Sequence, residues 1–121
     1  MQYHCLIYFD PKVVFADNAE AQKALSEIGP YRARLIESGQ LVSDLALNLP
    51  STAVTVRAPE GKISSTDGPF METKEMLGGM MVIEARDLNE AVRIAGESPH
   101  ARLGTIEVRP AIDFSQPRPK F

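Results

Sequence analysis

Apolar residues alternate over residues 2–9: Tyr3, Cys5, Ile7 and Phe9 fall on one side, Gln2, His4, Leu6 and Tyr8 on the other. A period of two predicts a strand with one apolar and one mixed face. Asp10-Pro11 ends it. Asp17 or Asn18 can cap a helix reaching about Ser38, with Ala21, Ala24, Leu25, Ile28, Tyr31 and Leu35 as its apolar stripe. Gly29-Pro30 predicts a kink there, or two shorter helices. A second strand is predicted over 41–47, with Leu41, Leu45 and Leu47 opposed to Val42, Asp44 and Ala46. Segments 53–58 and 62–66 flank Pro59-Glu60-Gly61 and are expected to form a hairpin. Residues 80–85 form the most apolar strand, expected to be central, with Gly78-Gly79 before it letting the backbone reverse or approach something closely. Asp87 and Glu90 have the spacing of a capping box. The helix that follows should reach about Glu97, with Leu88, Val92 and Ala95 facing the core. A last strand is predicted over 105–112, with Glu107 and Arg109 on one face. Residues 116–121 read as a loose tail after a single domain spanning 1–115.

The element order predicts an α+β fold with two helices on one face of an antiparallel sheet. Two helices cannot cover both faces of such a sheet. The other face carries Leu6 and Tyr8 beside His4, Thr55, Arg57, Glu107 and Arg109. Leaving that half-apolar surface in water is costly, so a second copy is expected to cover it.

The 121 residues suffice for one domain with its own core. A net charge of −3 gives no basic surplus for phosphate neutralisation, which argues against nucleic acid as a partner. Cys5, the single cysteine, rules out an internal disulfide and suits a reducing cytoplasm. Met1–His4 precede only a short apolar run, which is read as neither a signal peptide nor a membrane span. His4, Cys5 and His100 lack the spacing of a metal-ligand set, and no phosphate- or dinucleotide-binding loop is present. No cofactor is therefore expected. His100, in the loop after Pro99, reads as a surface residue.

The stretch Asp67-Gly68-Pro69-Phe70, then Glu72-Thr73-Lys74-Glu75, then Leu77-Gly78-Gly79, resembles the signature of the DGPF proteins, a branch of the YCII-related group. The likeness extends to residues 3–8, Thr55-Val56-Arg57, 83–88 and Ile106-Glu107-Val108-Arg109-Pro110. It implies a ferredoxin-like chain in the dimeric α+β barrel group, a homodimer enclosing a cleft near the interface. It supplies no settled function. Relatives of that fold group are small isomerases, monooxygenases and lyase-like enzymes, and DGPF proteins are linked to alternative sigma factors. In the wider YCII-related group a helix-borne histidine paired with an aspartate is the catalytic unit. The matching position here falls near Tyr31, a departure from that scheme.

Two classes of function follow. In the first, a cleft at the sheet face binds or transforms a small polar or anionic molecule. Asp67 and His4 would then share proton transfer. Arg57 or Arg109 would hold the anion, with Glu107, Glu72 and Lys74 as further binding groups. Each has a plainer role open to it. His4 can be satisfied at a subunit interface, Asp67 can bond its own turn, Glu107 and Arg109 can make intersubunit or cross-strand ion pairs, and 72–75 can be a solvated charge run. In the second class the chain is a non-catalytic regulatory or ligand-sensing module of sigma-factor-dependent transcription. A third reading is a bare structural dimer. A polar pocket containing His4, Asp67 and Arg109 would favour the first, an exposed 67–75 loop with no pocket behind it the second.

Overall fold

The computed structural model describes residues 1–120. Its main sheet has four strands: β1 (Gln2–Phe9), β2 (Leu41–Ala46), β5 (Met76–Glu84) and β6 (Thr105–Pro110), in the order β2-β5-β1-β6, every neighbouring pair antiparallel. The long helix α2 (Ala19–Glu37) connects β1 to β2, and α3 (Leu88–Gly96) connects β5 to β6. This is the split βαβ arrangement of a ferredoxin-like fold. Two single-turn helices, α1 (Pro11–Val14) and α4 (His100–Leu103), flank the main ones. Between β2 and β5 the chain inserts a separate hairpin, β3 (Val54–Arg57) with β4 (Ser64–Asp67). The hairpin forms as expected, but Thr55 and Arg57 do not join the uncovered face of the main sheet: β3 and β4 pair only with each other, as a second, two-stranded sheet.

Helix starts follow the caps. Asn18 accepts from the Ala21 N–H at 2.8 Å, and Asp87 accepts from the Glu90 N–H at 2.9 Å. Helix α2 is one helix from Ala19 to Glu37, with Pro30 inside it, so Gly29-Pro30 does not divide it. Both residues face solvent, where water can satisfy the Ser26 carbonyl that Pro30 leaves without its N–H. Both main helices lie on the same sheet face. Tyr31 and Leu35 of α2 and Ala91, Ile94 and Ala95 of α3 pack with Tyr3, Cys5, Met81 and Ile83.

Three details of patterning differ from expectation. Leu88 and Val92 are exposed, and the buried stripe of α3 is Ala91, Ile94 and Ala95, because small alanines allow the helix to approach the sheet closely. In β2 a register shift between Leu41 and Ser43 breaks the alternation, so Leu41 opposes Ile83 and Asp44 opposes Met81 on the helix side. Strand β5 begins at Met76, which puts Gly78 and Gly79 inside the strand rather than before it. There β1 and β5 slip register: Ile7 opposes Gly79 and Tyr8 opposes Leu77, leaving Gly78 as the extra residue of a bulge. A Cβ on Gly78 would lie 2.1 Å from the Phe9 ring, and one on Gly79 would lie 2.8 Å from the Leu45 carbonyl oxygen. Both positions need glycine for space.

The core is in two parts. The larger cluster surrounds Cys5 and Ile83, and a smaller one of Phe9, Val14 and Met76 gathers Ile7, Leu25 and Leu103. Among the described residues, no helix is long and apolar enough to cross a membrane.

Candidate functional site

A cavity of about 510 Å³ lies between α2 and the sheet, where the two core clusters separate. Leu25, Ile28, Tyr31, Arg32 and Leu35 form its helix wall. Their spacing is that of one helix face. Ile7, Phe9, Met80, Met81 and the Gly78-Gly79 bulge form the floor, and Leu41 to Leu47 contribute one side. Val14 and Phe15 close one end. A space of this size falls within the ~300–1,000 Å³ typical of ligand pockets.

Few polar groups meet it. His100 is half-buried and stacks on Phe9 with ring centroids 5.8 Å apart and planes 16° from parallel. Phe15 meets the same Phe9 ring edge-on at 6.1 Å. Burial holds the His100 pKa below its usual 6.5, favouring the neutral imidazole. Ser98, only 2% exposed, accepts from the His100 backbone N–H at 3.3 Å. Tyr31 is buried and donates its hydroxyl to the Ile94 carbonyl at 2.7 Å. Desolvation drives its pKa up, so it stays a neutral phenol that ties α2 to α3. At the rim, Arg32 grips Asp44 of β2 with two hydrogen bonds, Nε to Oδ2 at 2.6 Å and Nη2 to Oδ1 at 3.1 Å. This pair holds the Asp44 carboxyl below its usual range.

His100 is a correction to the sequence reading. It opens α4 and forms part of the cavity wall instead of lying on the surface. The chain folds back here because β6 must return beside β1, which brings α4 over Phe9.

None of the site residues expected from sequence lines this cavity. His4 is half-buried on the opposite sheet face, opposed to Val82 and Arg109, with no carboxylate hydrogen-bonded to it among the described residues. Glu107 and Arg109 lie on that same face and pair with each other at 2.5 Å, both largely exposed. Asp67 ends β4 in the separate hairpin, exposed, with no side-chain hydrogen bond among the described residues. It is therefore not joined to His4 within the chain. Arg57 lines only a shallow groove on the hairpin with Thr55, Pro69 and Phe70. Glu72 and Lys74 are exposed in the loop that follows. That loop is anchored at Gly68, whose N–H donates to the Ala53 carbonyl at 2.7 Å and whose carbonyl accepts from Thr55 at 2.8 Å. Gly68 has φ +96°, a conformation open to glycine but strained for other residues. Cys5 is fully buried on the helix side, as expected, and burial pushes its thiol up to about 11. Among the described residues no group of His, Cys, Asp and Glu could hold a metal ion.

The comparisons with known proteins follow the same lines. Residues 1–115 match the YCII-related domain, for which DGPF is an alternative name. An uncharacterized protein of Rhizobium meliloti (strain 1021) is 34% identical over 114 residues, covering 91% of each chain. Among solved structures, 5-chloro-2-hydroxyhydroquinone dehydrochlorinase (TftG) from Burkholderia phenoliruptrix AC1100, in complex with 2,5-dihydroxybenzoquinone, superposes with a TM-score of 0.52. It is 14% identical, with 95% of this chain and 97% of that one covered. That likeness shows the fold, which agrees with the strand order above. The domain match over nearly the whole length, together with the R. meliloti relative, establishes that the chain belongs to the YCII-related family.

Proposed function

We propose that this protein binds a small, mainly apolar, ring-sized molecule in the cavity between α2 and the sheet. In the enzymatic form of this reading, the neutral His100 imidazole accepts a proton from the bound molecule. The observation that carries the reading is the cavity itself: it divides the core, and its apolar walls meet only a few convergent polar groups. Burial keeps the imidazole unprotonated, so one of its ring nitrogens is available as an acceptor. TftG was solved with 2,5-dihydroxybenzoquinone, a one-ring molecule. The ligand class proposed for this chain rests on its own cavity.

The opposite sheet face belongs to the same proposal as the seat of a second copy. Leu6, Tyr8 and Met80 there are only half-covered, around a polar centre of His4, Glu107 and Arg109. A sheet covered by helices on one side alone leaves such a face for a partner. A polar or anionic ligand in a cleft at that face would depend on the second copy to complete the site.

A second reading, of another class, draws on the hairpin and the loop after it. Val54, Val56, Phe70 and Met71 are exposed there, beside Arg57, Asp67, Glu72 and Lys74. An exposed apolar loop of this kind suits a regulatory module that docks on a protein partner.

A thermal-shift screen with single-ring compounds separates these readings, because a ligand bound only to the native state raises its melting temperature. Hits are expected with the natural chain and are expected to vanish in Ile28→Trp, whose indole would fill the cavity. Hits that survive Ile28→Trp would move the site elsewhere.

A further inference from the structure

We infer that Arg32, oriented by Asp44, selects ligands that carry an anionic group on an otherwise apolar ring. The inference rests on the cavity being the binding site. Arg32 occupies a cavity-facing position of α2, four residues after Ile28 and seven after Leu25, where the rest of the stripe is apolar. A guanidinium has five N–H donors on two usable edges. Asp44 takes one edge, the Nε side, with its two oxygens 2.6 and 3.1 Å away. The other edge has no acceptor among the described residues. An Arg–carboxylate fork of this kind fixes the plane of the guanidinium. Asp44 is thus a positioning residue, and the free edge of Arg32 remains for a second carboxylate, enolate or phenolate.

The setting makes such an anion readable. Arg32 and Asp44 both line the cavity while keeping partial access to water, with side-chain exposures of 52% and 31%. A ligand can therefore bury its ring against Ile28, Leu35 and Met81 and leave its charge at the rim. His100 lines the cavity as a separate polar group and is neutral, so no other cavity-lining cation competes for the anion. Sequence reading gave the anion-holding role to Arg57 or Arg109. Arg57 faces only the shallow hairpin groove, and Arg109 lies on the other sheet face, away from the cavity lining.

The test uses the full-length protein and a matched pair of probes, 4-methylbenzoate and its uncharged counterpart 4-nitrotoluene, with affinities from NMR titration. The natural chain is expected to bind the acid about tenfold more tightly than the neutral probe, the gain of one charge-assisted contact. Arg32→Met should abolish that preference, so that the acid binds no more tightly than 4-nitrotoluene. Arg32→Lys, which keeps the charge but loses the fork, should retain part of it. Melting temperatures of both variants verify folding. An acid preference unchanged in Arg32→Met overturns the inference and leaves the cavity reading standing. Failure of both probes to perturb cavity resonances of the natural chain overturns both.

Discussion

At the scale of single residues, the cavity depends on Gly78 and Gly79 as much as on its apolar walls. Gly78→Ala places a methyl where the Phe9 ring lies, and Phe9 holds both Phe15 and His100. The variant should lose about 1–3 kcal/mol of stability by overpacking, measurable by urea denaturation. His100 makes a pH-dependent contribution of known sign. Its folded pKa lies below that of the free side chain, so the unfolded state binds more protons. Stability should therefore fall as pH drops below about 6.5, and the fall ends below the folded pKa. Melting temperatures between pH 7.5 and 5 should show a shallower slope in His100→Gln. An unchanged slope would place that histidine in water. His100 was not legible in the sequence because a polar residue after Ser98-Pro99 looks like loop surface. Its burial depends on Phe9, more than ninety positions away in the chain. Arg32 left a signal that could have been followed, a charge inside an apolar helical stripe. Such a residue is either the edge of the stripe or a group aimed at something.

At the scale of elements, local rules were read correctly where the interaction is local. The N-cap at Asp87 is one case. Its carboxylate accepts from the Glu90 N–H, while the Glu90 side chain accepts from the Arg86 N–H at 3.1 Å, one residue before the Asp87 N–H that a full capping box would engage. Asp87→Ala should cost about 1 kcal/mol, read as a lowered denaturation midpoint. The alternation of β1 was also legible, because both neighbours of a central strand enforce period two. Features set by partner elements were not. The rotation of α3, which exposes Leu88 and Val92, depends on how closely its alanines approach the sheet. The slip in β2 that turns Asp44 toward α2 depends on the pairing with β5. A stripe such as Leu25, Ile28 and Leu35 reads the same whether it packs on a filled core or faces a cavity.

At the scale of the molecule, fold class, the placing of both main helices on one sheet face, and family were accessible from the sequence, through element order and the Asp67–Gly79 stretch. The position of the cavity was not. Sequence reasoning looked for chemistry on the uncovered sheet face, whereas the more enclosed, apolar cavity lies beneath α2. The uncovered face is the proposed seat of a second copy. Leu6→Glu would set a charge at its centre, beside Met80 and Glu107. If a second copy sits there, light scattering should report a dimer for the natural chain and a monomer for Leu6→Glu, with the helical circular dichroism signal retained. A natural chain that is monomeric at every accessible concentration would leave the face simply hydrated.

The claim on which the functional account turns is that ligands enter the space beneath α2. Its most direct test is an NMR titration of the natural chain with the best single-ring hit, following methyl resonances of Met81, Leu25 and Ile28 and the His100 ring. The account predicts saturable shifts concentrated on those groups. Shifts confined to residues 54–75, or to Leu6, Tyr8 and Arg109 on the far side of the sheet, would contradict it.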